Sequence, residues 1–215
     1  MKHLACAFFA TLAATQVFAG SGRDISSVNG SVDTSPGQTY DTLSTVNGDV
    51  HLKDGVIAEV AKTVNGDVTL DADAKVGNAR TVNGSLRLRA GASIDREATT
   101  VNGSIDLGQR VRVGGDVTTV SGDIDLDGAQ VGGRLETRNG DIDLRAGARV
   151  QGGIVVKKKN DNGWSWGDDH DDPVKVNICA TCEVVGDLRF DRPVILHVEP
   201  GAKIGQVIGT EVTRR

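Results

Sequence analysis

Thr45-Val46-Asn47-Gly48-Asp49-Val50 returns eighteen residues later as Thr63-Val64-Asn65-Gly66-Asp67-Val68. A version of the same phrase precedes it, Ser27-Val28-Asn29-Gly30-Ser31-Val32, and others follow at 81–86, 100–105, 119–124 (with Ser121 in place of Asn) and 137–142. The glycines at 30, 48, 66, 84, 103, 122 and 140 are separated by 18, 18, 18, 19, 19 and 18 residues. Seven copies at nearly constant spacing define a repeat architecture, in which each unit buries its apolar face only by stacking on its neighbours.

Each unit divides into three pieces of about six residues. After Asn-Gly comes an alternating quartet such as Asp123-Ile124-Asp125-Leu126, the pattern of a strand buried on one side. An Ala-x-Val/Ile step follows, as in Ala74/Val76, Ala92/Ile94, Ala129/Val131, Ala148/Val150 and Ala202/Ile204. A third apolar position falls at Ala79, Ala98, Val117, Leu135 and Ile154. Three short sides close one coil, so the spacing predicts an all-β chain, a single-stranded β-solenoid of triangular section with about 18 residues per coil and handedness left open. At 18 residues a unit is too short for a four-stranded propeller blade. A stack of hairpins is the rival, since Asn-Gly is also a favoured hairpin turn, but it would need two equivalent strands per unit. About nine or ten coils, roughly 45 Å of rod, are expected.

In such a stack identical positions form ladders about 4.8 Å apart. Val/Ile/Leu at 50, 68, 86, 105, 124 and 142 and Leu at 52, 70, 88, 107, 126 and 144 are expected inside. The corner ladder is Asn29, Asn47, Asn65, Asn83, Asn102, Ser121 and Asn139, where Asn tolerates positive φ and its amide can bond to the next coil. Arg138 in the place of the valine before Asn argues that this column points outward.

Gly makes up 28 of 215 residues, nearly twice the usual ~7%, without the period of three that collagen requires. Aromatic residues are only 3% and hydrophobic residues 38%, enough for a core of aliphatic side chains. The net charge of −5 and the lack of a long basic stretch argue against a nucleic-acid partner. Residues 1–19 read as a secretory signal: Lys2 and His3, an apolar stretch over 4–14, and Val17-Phe18-Ala19 before the cleavage point. The apolar stretch is too short for a membrane span. Leu4-Ala5-Cys6 precedes that stretch, where a lipoprotein box would follow it.

The rest of the chain divides into repeats over 20–156, an inserted loop over 157–173 and final coils over 174–215. The insertion, KKKNDNGWSWGDDHDDP, holds Trp164 and Trp166 and is a candidate binding loop; the alternative is a solvated loop whose tryptophans fold back on the coils. Cys179 and Cys182 align with a corner and the Ala column of the preceding coil, which in an exported protein points to a disulfide. Asp123, Asp125, Asp141 and Asp143, extended by Asp106, are expected on one outer face, either sharing a cation or, with Arg87, Arg89 and Arg145, making ordinary charge pairs. His51, His170 and His197 lie in unrelated repeat contexts, and no nucleophile elbow, HExxH or phosphate-binding loop appears. No catalytic residues, metal or cofactor are expected.

The (T/S)V(N/S)G(D/S)(V/I/L)xL units, with GAxVxG steps such as Gly147-Ala148-Arg149-Val150-Gln151-Gly152, resemble two bacterial groups. One is an exported adhesin-like family of SGD/NGD repeats, and the other is the bactofilins, polymer-forming cytoskeletal β-helices. The resemblance spans about residues 25–212 and implies a β-helix; the bactofilin likeness implies self-assembly, although a signal peptide departs from a cytosolic role. The expected function is an exported, non-catalytic structural or adhesin-like scaffold in the periplasm or at the cell surface, with a carbohydrate-binding or carbohydrate-active β-helix as the alternative. Its expected partners are further copies meeting end-on, N-terminal face to N-terminal face, together with envelope polysaccharide or another surface protein.

Overall fold

The computed structural model describes residues 23–158, 172–209 and 211–214, and among these there is no helix. The reading of residues 1–19 as a signal, and Trp164 and Trp166 with most of the inserted loop, lie outside the described residues.

The alternating quartets after Asn-Gly build one face of the solenoid, face A. Its ten parallel strands stack in chain order: Val32–Asp33, Val50–Leu52, Val68–Leu70, Leu86–Leu88, Ile105–Leu107, Ile124–Asp127, Ile142–Arg145, Val174–Ile178, Val194–Val198 and Val212–Arg214. Neighbouring strands pair at identical repeat positions, Val68 on Leu86 and Leu86 on Ile105, so each coil lies in register on the last. The insertion does not disturb this, since Ile142 pairs with Val176 and Leu144 with Ile178. About ten coils form a β-solenoid, as the spacing predicts.

The other two sides share a sixteen-stranded parallel sheet. In the first four coils they run together as single strands, Arg23–Asn29, Thr39–Asn47, Ile57–Lys62 and Lys75–Arg80. Beyond these they separate into face B (Ser93–Ile94 to Lys203–Ile204) and face C (Ala98–Thr99 to Val207–Gly209). Three equal sides are therefore not present in every coil. The reason is one residue: inward Val76 and Ala79 are three positions apart, whereas Ile94 and Ala98, Val113 and Val117, and Val131 and Leu135 are four apart. The extra residue opens a full corner.

Every complete coil sends six side chains inward. In the fifth these are Ile105, Leu107, Val111, Val113, Val117 and Thr119, all buried. The core is thus a bundle of aliphatic columns in which each residue packs on its equivalents above and below, and stability accrues coil by coil. Two aromatics stand near opposite ends of it. Tyr40 is buried near the N-terminal end and its hydroxyl accepts a hydrogen bond from Ser35 N–H. Phe190 is buried near the C-terminal end, and Gly209 follows it in the next coil, where a Cβ would lie 3.1 Å from that of Phe190.

The structure settles which residue of the Asn-Gly corner takes the left-handed conformation. Glycine, not asparagine, takes the positive φ: Gly84 has φ +155° and Gly103 +156°, while the positive-φ non-glycine residues are Asp73, Arg110 and Ala146. The physical cause is close stacking. A Cβ on Gly103 would sit 2.0 Å from the carbonyl oxygen of Gly84, a backbone atom that cannot move aside. The valines before Asn point outward as expected, with Val28 65%, Val46 41% and Val64 40% exposed.

Two substitutions separate these effects. At Gly37, φ is +67° and a Cβ would meet nothing within 4 Å, so Gly37→Ala should cost only the ~1–2 kcal/mol of a left-handed alanine. Gly103→Ala adds a clash with backbone and should cost more than about 3 kcal/mol. Thermal unfolding followed by circular dichroism should show a clearly larger drop in Tm for Gly103→Ala.

Candidate functional site

The polar side chains form columns, and most of those columns hold the coils together. The asparagine ladder runs as anticipated. Asn47 Nδ2 donates to Asn29 Oδ1 at 3.0 Å, and Asn65, Asn83 and Asn102 each donate to the preceding Asn at 2.9 Å. Ser121 has no amide to continue the chain of side chains, but the backbone bridges carry on from Asn102 to Ser121 and from Ser121 to Asn139.

The Oδ1 atoms of Asn29, Asn47, Asn65 and Asn83 thus each receive a donor from the next coil. At Asn139 the next Asn-Gly phrase is missing, and a distant residue takes its place. Arg192 is buried and donates from Nη1 to Asn139 Oδ1 (2.7 Å) and to the Arg138 carbonyl (2.7 Å), and from Nη2 to the Asp172 carbonyl (3.0 Å). It therefore ends the ladder and ties down the chain where the insertion rejoins the solenoid. Reading the sequence missed Arg192, because nothing in the repeat marks a residue more than fifty positions away as a substitute donor.

Two further columns explain the repeat's wording. Thr45, Thr63, Thr81, Thr100 and Thr119 are buried, and each hydroxyl donates to the corner glycine carbonyl of the preceding coil, as Thr63 does to Gly48 at 2.8 Å. Buried hydroxyls generally have such a partner; Thr137, the equivalent in the last copy, is buried with its hydroxyl unpaired among the described residues. After the glycine, Asp or Ser accepts the backbone N–H of its equivalent one coil on: Asp49 from Asp67, Asp67 from Ser85 and Asp123 from Asp141, each at 2.8 Å. The recurring Thr (Ser27 in the first copy) and the choice of Asp or Ser after the glycine are visible in the sequence, but their partners are not.

The acidic row stands where the sequence puts it. Asp106, Asp125 and Asp143 pair in register on the outer side of face A. Arg145 Nη2 lies 2.7 Å from Asp125 Oδ1, Arg87 Nε lies 3.6 Å from Asp106, and Asn177 donates to Asp143 at 2.6 Å. Partial burial raises the pKa of Asp125; the carboxylates of Asp143, Asp106 and Asp123 add to this, and Arg145 opposes it. Asp67 shows the opposite balance. Burial pushes its carboxyl up, but the Ser85 N–H and the Arg87 guanidinium outweigh that and leave it below its ordinary value. Among the described residues, no group of three or more His, Cys, Asp or Glu is placed to hold a metal ion.

His51 lies between Asp71 (Nε2–Oδ2 2.7 Å) and Asp33 (Nδ1–Oδ1 3.5 Å), and Asp71 is also paired with Arg89. His51 and His197 share the same outward column of face A, contrary to the expectation of unrelated contexts, but stand near opposite ends of it. His170 lies outside the described residues.

Cys179 and Cys182 form a disulfide across the corner after Ile178, with Cα atoms 5.1 Å apart. Cys182 is buried in the Ala column between Ala148 and Ala202, and its N–H donates to the Cys179 carbonyl at 2.9 Å. Among the described residues no helix is long and apolar enough to cross a membrane. Comparison of the chain with family models, curated proteins and solved structures finds no match.

The disulfide closes a very short loop, so Cys179→Ser/Cys182→Ala, which restores the column's alanine, should lose only about 2 kcal/mol; chemical denaturation against the oxidised protein measures the difference. The two aspartates predict opposite pH signs. Lowering a folded-state pKa adds stability that is present above the unfolded value and lost as pH falls through the folded one. Asp67→Asn should therefore reduce Tm at pH 7, by the equivalent of ~1 kcal/mol or less, and the deficit should fade below about pH 4. Raising the pKa at Asp125 does the reverse, so Asp125→Asn should leave Tm at pH 7 unchanged or slightly higher. Melting both variants between pH 2.5 and 7 checks the signs.

Proposed function

We propose that this chain is an exported, non-catalytic scaffold, a rigid rod that associates through its ends. The observation that carries the reading is the use of its reactive side chains: the Asn, Thr and Asp/Ser columns are hydrogen-bonded from coil to coil, as in Asn65 to Asn47 and Thr63 to Gly48. A column engaged in this way supplies mechanical continuity, and altering it to do chemistry would break the stack. The leader-like residues 1–19 support export, and the Cys179–Cys182 disulfide fits an oxidising compartment.

End-on association is supported by the uneven burial of the core columns. Ile178, Cys182, Val184, Leu188 and Val194 are each at most 1% exposed. Their equivalents one coil later, Val198, Ala202, Ile204, Val207 and Val212, are only partly buried. Near the other end, among the described residues, only Ile25 of the apolar columns is partly buried, and Val32, Tyr40 and Leu43 are already buried. This favours the C-terminal face as the contact, in place of the N-terminal face. Paired like faces would close as a dimer, whereas unlike faces would continue as a filament.

Light scattering over a concentration series should show a species larger than one chain. Val212→Glu, at the last coil, should shift the protein to monomer while lowering Tm little, because loss of an end coil leaves the other interfaces intact. A monomer at every concentration for the unaltered protein would refute end-on association.

A further inference from the structure

The outward row of face B has a charge pattern unlike that of face A. In register it reads Lys75, Ser93, Arg112, Gln130, Arg149, Glu183 and Lys203, four basic residues against one acidic, on a chain whose net charge is −5. On face A, by contrast, Arg87, Arg89 and Arg145 each face an aspartate. Arg112 forms no ion pair among the described residues, and neither does Arg110 on the same coil. Arg149 shares its guanidinium with Glu183, Nη1–Oε2 3.1 Å, which leaves further N–H donors available.

These residues border a shallow trough of about 220 Å³ lined by Arg112, Gln130, Arg149 and Gln151, with Gly114 and Gly132 in its floor. Neither glycine can be larger. A Cβ on Gly114 would come within 2.1 Å of the Asp95 carbonyl oxygen, and one on Gly132 within 2.4 Å of that of Gly114. At these two coils the corner that lets backbones stack also leaves a floor without side chains, and Gln151 occupies the same column on the coil that follows. The floor N–H groups are already bonded within the sheet, Gly114 to Ile94 and Gly132 to Val113 at 2.8 Å. Recognition therefore falls to the side chains.

We infer that this trough binds a linear acidic polysaccharide, one bearing a carboxylate on alternate sugar rings, laid parallel to the solenoid axis. Coils repeat about every 4.8 Å, close to the advance of one ring in an extended glycan chain. Arg112 and Arg149 are two coils apart, with Gln130 between them. Two carboxylates on alternate rings meet Arg112 and Arg149, in the fork geometry that arginine offers, and the same alternation continues along the row to Lys75 and Lys203. The uncharged ring between meets Gln130, whose amide both donates to and accepts from hydroxyls. A nucleic acid fits less well: its charges are far denser, one per ~1.7 Å of duplex, and the neighbouring face A is acidic. The trough also lacks the deep apolar pockets that anchor a protein partner. The site lies on the side of the rod and does not depend on association through the ends.

The test is titration calorimetry of the purified protein with a hyaluronan octasaccharide, which carries its carboxylates on alternate rings. A neutral cello-oligosaccharide and a single-stranded oligonucleotide serve as comparators. Saturable binding of hyaluronan that weakens with salt, with none of the neutral sugar, is the expected result. Arg112→Gln/Arg149→Gln should weaken it at least tenfold, while Arg189→Gln, on face C, should not change it. Both variants alter exposed side chains, and an unchanged melting curve establishes that they fold. Should the double variant melt early, Arg112→Gln alone must still weaken binding severalfold. Absence of hyaluronan binding, equal binding by the double variant, or tighter binding of the oligonucleotide would each overturn the inference.

Discussion

Everything in this structure rests on the close approach of one corner glycine to the next. At Gly66, Gly84, Gly103, Gly122 and Gly140 a Cβ would fall within 2.2 Å of the carbonyl oxygen of the glycine one coil earlier. Only a residue without a side chain, able to hold φ between +142° and +156° there, lets the backbones stack at strand spacing. Once that contact is made, the flanking residues have little freedom. The Thr before it turns inward under the preceding glycine carbonyl, Asn meets Asn, and Asp or Ser reaches the next backbone N–H. The repeated phrase is a description of one inter-coil joint, written once per coil.

Because each joint involves only adjacent coils, the rod tolerates interruption. The insertion over 157–173 adds sixteen residues or so between neighbouring strands, yet Ile142–Arg145 and Val174–Ile178 pair as though contiguous. The need it creates is local, an unsatisfied Asn139 at the end of a ladder, and Arg192 meets it from the following turn. The disulfide at Cys179 and Cys182 reinforces the next corner along. Two devices near the base of the insertion mark the place where the repeat's own joint is missing.

The same geometry divides the surface. The outer side of face A and its flanks are rich in aspartate and arginine that pair between neighbouring coils. Face B, whose strands after the fourth coil are only two residues long, presents a single outward column, and there basic residues outnumber acidic ones. A solenoid thus turns a one-dimensional choice at each repeat position into a stripe along its length. Two stripes of opposite character lie on adjoining sides of the same rod.

How much of this the sequence determined follows from the range of the interactions. The 18-residue period, the alternating quartets and the Asn-Gly corners are local patterns, and they specified a β-solenoid, its coil number, its inner columns, the Asn ladder and the disulfide. The fusion of two sides in the first coils turned on one residue between inward positions, a difference visible in the numbering only when burial says which positions point inward. The positive φ belonged to glycine and not asparagine because of a carbonyl one coil away. Arg192 could be placed only when the insertion closed and brought it beside Asn139, and the trough on face B only when Arg112, Gln130 and Arg149, about eighteen residues apart, came to lie in one line. Period and polarity are carried along the chain; which side chains meet across coils is decided by stacking, where backbone separation leaves room for one partner and excludes the rest.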